Sequence, residues 1–184
     1  MKFNLIYLDP PWRYEQNWGN GCVKHHYDDM KFEDIKALPI SGITDKDCYI
    51  FIWVTNSFIQ EGLELCKAWG FQYKQLLTWV KTTKDGSRIR MVGGYYSRNC
   101  TEHIILGVKG RIPRLRKDIK NVFMAYSGTH SKKPDCAREL ITDLYGDLPR
   151  IELFATERAD GWTSLGNEID GRDIRDALKD LITA

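Results

Sequence analysis

The sequence predicts an α/β fold in which a mostly parallel sheet is flanked by helices. Three observations carry that reading: short, continuously apolar runs recur along the chain, amphipathic segments alternate with them, and Gly, Pro or Asp separates the two kinds. A chain of 184 residues that is 42% hydrophobic and 28% charged holds enough apolar side chain for one core and reads as folded rather than disordered. It contains no internal repeat, no Pro-rich or Ser-rich linker and no compositional break, so residues 1–184 read as a single domain.

The elements follow in order. Phe3 to Leu8 (FNLIYL) is an apolar strand stopped by Asp9-Pro10-Pro11, because two successive prolines lack the N–H groups a ladder needs. Phe32 to Leu38 reads as a short helix, and Cys48 to Val54 (CYIFIWV) as a strand buried on both faces. Ser57 is placed to cap a helix that runs to about Trp69 and is closed by Gly70. Phe71 to Val80 is the next strand, and Lys81 to Gly94 a polar, basic, Gly-containing loop. Glu102 to Val108 is another buried strand, followed by a second irregular basic stretch over residues 109–133. Pro134 to Tyr145 is a helix with proline in its first turn, Ile151 to Phe154 a strand, and the last helix runs from Asn167 or Ile169 to about Ile182. In open sheets of this class ligands bind beyond the carboxyl ends of the strands, and Asp9 to Trp12, Ala155-Thr156 and Arg98 to Glu102, which leads into a strand, fall there or nearby, a clustering that points to one common site.

Asp9-Pro10-Pro11-Trp12 is the sharpest signal, expected by chance in roughly one chain in a few thousand from average composition. Its bland reading is a rigid turn with a packed tryptophan. Its chemical reading is a fixed carboxylate, a stiff backbone whose carbonyls are not tied to a ladder, and a flat ring. An exocyclic amine on an aromatic base is a poor nucleophile, because its lone pair is delocalised into the ring. Two acceptors, the Asp9 carboxylate and the Pro10 carbonyl, would orient such an amine, with Trp12 stacking on a base taken out of its helix. His25, His26, His103 and His130 make no metal-ligand pattern, and no catalytic histidine or metal is assigned.

Beyond DPPW, the chain carries His26-Tyr27 through Met30, FEDIKALPI, CYIFIWVTN, EGLELCKAWGF, WVKT, GGYYSRNCTEHIILGVKG, SKKPD, IELFA and GWTSLGNE in that order. This ordered set resembles the MT-A70 family of S-adenosylmethionine-dependent adenine-N6 methyltransferases over nearly the whole chain. The resemblance implies a Rossmann-like methyltransferase fold in which the catalytic motif precedes the cofactor strand, IELFA. It implies S-adenosylmethionine as cofactor, with Asp9 beside it, Lys133 meeting its carboxylate, and Asn167 and Glu168 its ribose. Phe154, Ala155 and Thr156 would line it. Thr156 stands where the family's mRNA enzyme has arginine, a role that Arg158 could take two positions on. Tyr27 is a candidate wall of the substrate pocket. Arg98 and Glu102, four apart, form either an ion pair fixing a loop or part of the substrate site.

Net charge is only +2, yet residues 81–133 hold thirteen Lys or Arg against three acids, leaving a net −8 elsewhere. With Tyr95, Tyr96 and Tyr126 in the same stretch, this composition suits a phosphate backbone with exposed bases. Lys84, Arg88, Arg90, Tyr96, Arg98, Arg114, Arg116 and Lys117 are the candidate contacts. The expected substrate is adenine in DNA, with RNA, or a noncatalytic nucleic-acid-binding subunit, as alternatives; a homodimer or partner subunit is compatible with the size. The expected location is the cytoplasm of a bacterium or phage-infected cell, with no membrane association, because no apolar run nears the roughly 20 residues of a span. Cys22, Cys48, Cys66, Cys100 and Cys136 show no zinc-knuckle spacing and read as free thiols.

Overall fold

The computed structural model describes residues 1–13, 29–94, 96–128 and 132–183. Its elements are β1 (Phe3–Leu8), α1 (Phe32–Lys36), α2 (Ile40–Ile43), β2 (Thr44–Val54), a 3-10 turn (Asn56–Phe58), α3 (Ile59–Ala68), β3 (Gln72–Thr82) and β4 (Thr101–Lys109). They continue with β5 (Val122–Tyr126), α4 (Cys136–Tyr145), β6 (Arg150–Leu153), β7 (Thr163–Leu165), α5 (Asn167–Asp170) and α6 (Ile174–Thr183). The seven strands form one sheet in the order β5-β3-β4-β2-β1-β6-β7. Among the described residues six strands run the same way and β4 alone is antiparallel, to both β2 and β3. The mostly parallel sheet expected from the sequence is present, with this one reversal.

Alternation along the central strands sends successive side chains to opposite faces. Ile50, Ile52 and Val54 of β2 join a core that includes Ile35 of α1, Ile40 and Ile43 of α2, Leu65 and Cys66 of α3 and Leu178 of α6. Phe51 and Trp53 face a second core with Ala137, Ile141, Leu144 and Tyr145 of α4. On β1 the register slips between Phe3 and Leu5, so Phe3 joins Ile6 and Leu8 on the first face while Leu5 and Tyr7 face the second.

Several boundaries depart from the sequence reading. Ser57 does not cap α3; it lies in the 3-10 turn, and no side chain caps either segment. Gly70 does close α3 as expected. At a φ of 81° it lets its own N–H reach Lys67 O and the Phe71 N–H reach Cys66 O at 2.8 Å, the double bond of a Schellman end. The expected last helix is two, because Gly171 takes a left-handed φ of 74° between α5 and α6. The 109–133 stretch is not wholly irregular, since it contains β5, an edge strand with alternate residues exposed. The loop after β3 has an organised turn, in which Asp85 accepts hydrogen bonds from the Thr83 and Ser87 hydroxyls; these hold its carboxyl down at about 2.

Cys48, Cys66, Cys100 and Cys136 are free thiols, and burial pushes Cys48 and Cys66 each up to about 12. Tyr27, Tyr95, His25, His26, His130 and Cys22 lie outside the described residues. Among the described residues no helix is long and apolar enough to cross a membrane.

Candidate active site

The carboxyl ends of β1, β2, β3, β6 and β7 lie on one side of the sheet, and the reversal of β4 brings its beginning to the same side. Thr101 therefore pairs with Val80 and Glu102 with Trp79. Asp9, first residue beyond β1, lies among these ends. Lys133, just before α4, donates to Asp9 Oδ2 at 2.6 Å and lies 3.4 Å from Glu102 Oε2; Lys81 donates to Glu102 Oε1 at 2.5 Å. Lys81, Glu102 and Lys133 have side chains only 12–15% exposed, and that of Asp9 is 32% exposed. Glu102 thus pairs with Lys81 and Lys133, so of the two readings of Arg98 and Glu102 the ion pair between them is not the one formed among the described residues.

Burial raises the Asp9 pKa above the ordinary carboxylate value, and the Lys133 cation offsets only part of that cost. Burial also opposes ionisation of Glu102, but Lys133 and Lys81 together hold its carboxyl below the usual value. Desolvation works against the Lys133 cation, yet the Asp9 and Glu102 carboxylates on either side keep its pKa raised. Each lysine also lies over an indole ring, Lys133 5.4 Å from the centroid of Trp53 and Lys81 5.2 Å from that of Trp79.

The DPPW turn differs in two respects from its sequence reading. Its carbonyls are not idle: Pro10 O accepts the Trp12 N–H at 2.8 Å and Pro11 O the Met30 N–H at 3.1 Å. A carbonyl has two lone pairs, so Pro10 O keeps one for a ligand. Trp12 is not an open stacking platform. It is 7% exposed, its ring stacks on Phe58 at 5.0 Å and 11°, and its indole N–H donates to Trp53 O at 3.0 Å. Packing against the β2 end therefore uses the ring to fix the turn that presents Asp9.

At the neighbouring strand end, Phe154 has a φ of 60°, the one positive value among the described non-glycine residues. Such a backbone costs roughly 1–2 kcal/mol and marks sites where packing over-determines the chain. Ala155 N–H donates to Leu165 O at 2.9 Å, and a Cβ on Gly166 would sit 2.2 Å from Ala155 O, so only glycine permits this approach. Asn167 and Glu168 follow at once, exposed, in the first turn of α5; Thr156 and Arg158 are also exposed.

Beneath this end, Glu152 of β6 takes a two-pronged bond from Arg138 Nη1 at 3.0 Å to each oxygen. Arg138 also meets Glu157 at 3.2 Å, and Lys132 meets Glu157 at 3.0 Å. The sequence reading missed Lys81, Arg138 and Glu152 as functional neighbours. The available signal was a glutamate inside the apolar IELF run, since a buried carboxylate needs a cation. A cleft of about 730 Å³ beside α4 is lined by Lys132, Arg138, Glu157, Arg158 and Trp162 among others, but not by Asp9, Lys133 or Asn167. The paired charges and strained backbone put the candidate chemistry at the strand ends.

The basic candidates divide into two groups. Lys84, Arg88 and Arg98 are exposed in the loops between β3 and β4, with Tyr96 there 97% exposed. Arg90 is committed to the backbone carbonyls of Ser127 and Gly128. Arg114, Arg116 and Lys117 lie at the opposite end of the sheet, because β4 ends at Lys109 beside Cys48, near the start of β2. There the Leu115 N–H bonds Leu144 O and Arg116 pairs with Asp118 and Asp143. Nine residues of β4 span roughly 25 Å, well beyond the screening length of about 8–10 Å in physiological salt. These three were expected among the substrate contacts; the direction of β4 places them away from the strand ends that carry Asp9 and Glu102.

An open α/β sheet with this strand order and a charged turn at the first strand end is a Rossmann-like methyltransferase fold. The MT-A70 family profile matches residues 3–168, and the chain belongs to that family. It is 28% identical to a type II methyltransferase, M.MunI, from Mycoplasma sp, over 94% of this chain and 80% of that protein. It is 32% identical to the N(6)-adenosine-methyltransferase MT-A70-like protein of Drosophila melanogaster, over 99% of this chain and 29% of the relative. The human N(6)-adenosine-methyltransferase catalytic subunit METTL3 is 29% identical over 95% of this chain, which spans 30% of its length.

Proposed function

We propose that the chain transfers a methyl group from S-adenosylmethionine to N6 of adenine in DNA. The observation that carries this is the Asp9 carboxylate, presented by a rigid Pro-Pro turn and held by Lys133 beside the strained end of β6. The residues fit the cofactor by their chemistry: a lysine for a carboxylate, an amide and a carboxylate at Asn167 and Glu168 for a diol, and a close-packed Ala155–Gly166 wall. S-adenosylmethionine supplies an electrophilic methyl group on a sulfonium.

The chain's own task is positioning. Asp9 and the remaining lone pair of Pro10 O accept the two amine hydrogens, which turns the nitrogen lone pair away from the ring and toward the methyl group. Asp9 has lone pairs beyond the one Lys133 uses. The methylated amine becomes acidic and loses its proton to solvent, so no base of tuned pKa is needed. Trp12 and Phe58 hold the turn, while Lys84, Arg88, Arg98 and Tyr96 offer cations and a ring to the polymer on the same side of the sheet.

Similarity over most of both chains to a type II methyltransferase supports DNA. The similarity to adenosine methyltransferases favours RNA as the second reading. The test incubates the protein with tritiated S-adenosylmethionine and, separately, duplex DNA, single-stranded DNA and structured RNA, then identifies the labelled nucleoside. Label in N6-methyl-deoxyadenosine supports the proposal; label in N6-methyladenosine selects RNA. Cofactor binding without label on any polymer favours a subunit that needs a partner.

The division of basic residues gives a separate expectation. Changing Lys84, Arg88 and Arg98 together to glutamine should weaken polymer binding and flatten its log–log salt dependence by up to about 3. The same change at Arg114, Arg116 and Lys117 should leave both unaltered. Fluorescence anisotropy across a salt series measures this, and equal losses in the two variants would contradict the assignment.

A further inference from the structure

We infer that Lys81 is a positioning residue for methyl transfer, acting through Glu102 on Lys133 and Asp9. The inference rests on the reading of Asp9 as the group that orients the target amine.

The four side chains form one line of alternating charge across the strand ends: Lys81 to Glu102 at 2.5 Å, Glu102 to Lys133 at 3.4 Å, Lys133 to Asp9 at 2.6 Å. Charges in the line cancel, so each partly buried group has a counter-charge. The weakest link is the middle one. Lys133 therefore rests on Asp9, because Glu102 is already satisfied by Lys81 through its other oxygen. The indoles support this division: Trp53 and Trp79 meet edge to face at 5.9 Å and 78°, and each carries one of the two lysines.

Removing the Lys81 cation leaves three charges, two of them carboxylates sharing Lys133. Glu102, with its side chain 14% exposed, then has Lys133 as its one cation partner among the described residues and draws it from Asp9. Two consequences follow at the reacting centre. Asp9 loses the charge that opposes its burial, so it holds its proton to a higher pH. Lys133 also leaves the place where it would meet a cofactor carboxylate. The other groups facing Asp9 do not replace it: Glu152 on β6 is matched by Arg138 of α4, and Tyr7 on β1 is buried with its hydroxyl accepting the Trp53 indole N–H at 2.6 Å.

The experiment compares wild type with Lys81→Met, Lys81→Arg and the double variant Lys81→Met/Glu102→Gln. It measures S-adenosylhomocysteine binding by calorimetry, the Asp9 carboxyl titration by ¹³C NMR, and kcat and KM against pH. Lys81→Met is expected to bind S-adenosylhomocysteine about tenfold more weakly. Its Asp9 titration and the acid limb of kcat should move up together by about one pH unit. Lys81→Arg should restore both, and the double variant should recover affinity, because a neutral Glu102→Gln side chain no longer competes for Lys133. Lys81→Gln supplies the same readouts if Lys81→Met does not fold. A lowered melting temperature with unchanged affinity and unchanged titration would show a purely structural lysine and overturn the inference. A wild type that binds no S-adenosylhomocysteine would instead remove the functional reading, and the inference with it.

Discussion

Asp9→Asn is expected to slow methyl transfer by about 10²–10³-fold or more while the melting temperature stays within a few degrees. The amide keeps the shape but replaces an acceptor with a donor, so an NH2 group would face either the amine hydrogens or Lys133. Burial already disfavours the charge at Asp9, which limits what folding loses when it is removed. The wild-type pH profile follows from the same shift. Protonation would remove the Asp9 charge and turn one of its two oxygens into a donor; its pKa is raised, so activity should fall on acidification at a pH above the ordinary carboxylate range. Steady-state turnover with labelled cofactor, alongside thermal unfolding, measures both effects. Substantial turnover by the asparagine variant would remove Asp9 from the chemistry.

Lys133→Met should have the second large effect, on cofactor binding and on stability together. It leaves Asp9 and Glu102 without the cation between them. Breaking a fully buried pair costs about 3–5 kcal/mol; with Asp9 about a third exposed to solvent, roughly 2–3 kcal/mol is the expectation at neutral pH. The sign of the pH dependence is distinctive. In the variant Asp9 loses the cation that offsets its burial and titrates still further above its unfolded value, while Glu102 keeps Lys81, so the folded state binds more protons at Asp9 and the deficit should shrink as pH falls through that value. In the wild type the raised Lys133 pKa means that its pairing contributes fully below the unfolded lysine value and is lost only as pH rises through the folded one. Denaturant unfolding at neutral and acid pH tests this, and calorimetry with S-adenosylhomocysteine should show affinity reduced about 10- to 100-fold. A deficit that grew on acidification would contradict the account.

Lys133 differs from Lys81 in what its loss leaves behind. Without Lys133, no cation lies between the carboxylates; without Lys81, the remaining one is misplaced. The glutamine change at Glu102 should therefore rescue cofactor affinity in the Lys81 variant but not in Lys133→Met.

Legibility in the sequence followed range. FNLIYL stopped by two prolines, CYIFIWV buried on both faces and Gly70 closing α3 were readable because each depends on residues a few positions apart: a missing N–H, an apolar run, a left-handed glycine. The ordered motifs from DPPW to GWTSLGNE were readable for the same reason, and they carried the family. β5 and β7 were not. VFMAY is an edge strand with alternate residues exposed, and TSL is three residues long, so neither has the apolar density that marks a buried strand. The left-handed φ at Phe154 leaves no local trace either, since it is imposed by the packing of β6 and β7.

By itself the sequence determined the class of fold and the turn that carries Asp9, while Lys133 and Asn167 became candidates for one site through the family resemblance of its ordered motifs. Tertiary structure decided the direction of β4, and the differences in where the charged residues lie follow from it. An apolar run encodes burial but carries no sign for strand direction, which is set by pairing with β2 and β3 across the sheet. That reversal put Glu102 between Lys81 and Lys133, sent Arg114, Arg116 and Lys117 to the far end, and divided a basic stretch that is continuous in sequence. Trp12 was decided in the same way: whether an indole lies open to a base or stacks on Phe58 depends on a residue forty-six positions away. Charge partners and ring contacts are long-range facts, fixed only when the strands have found their places.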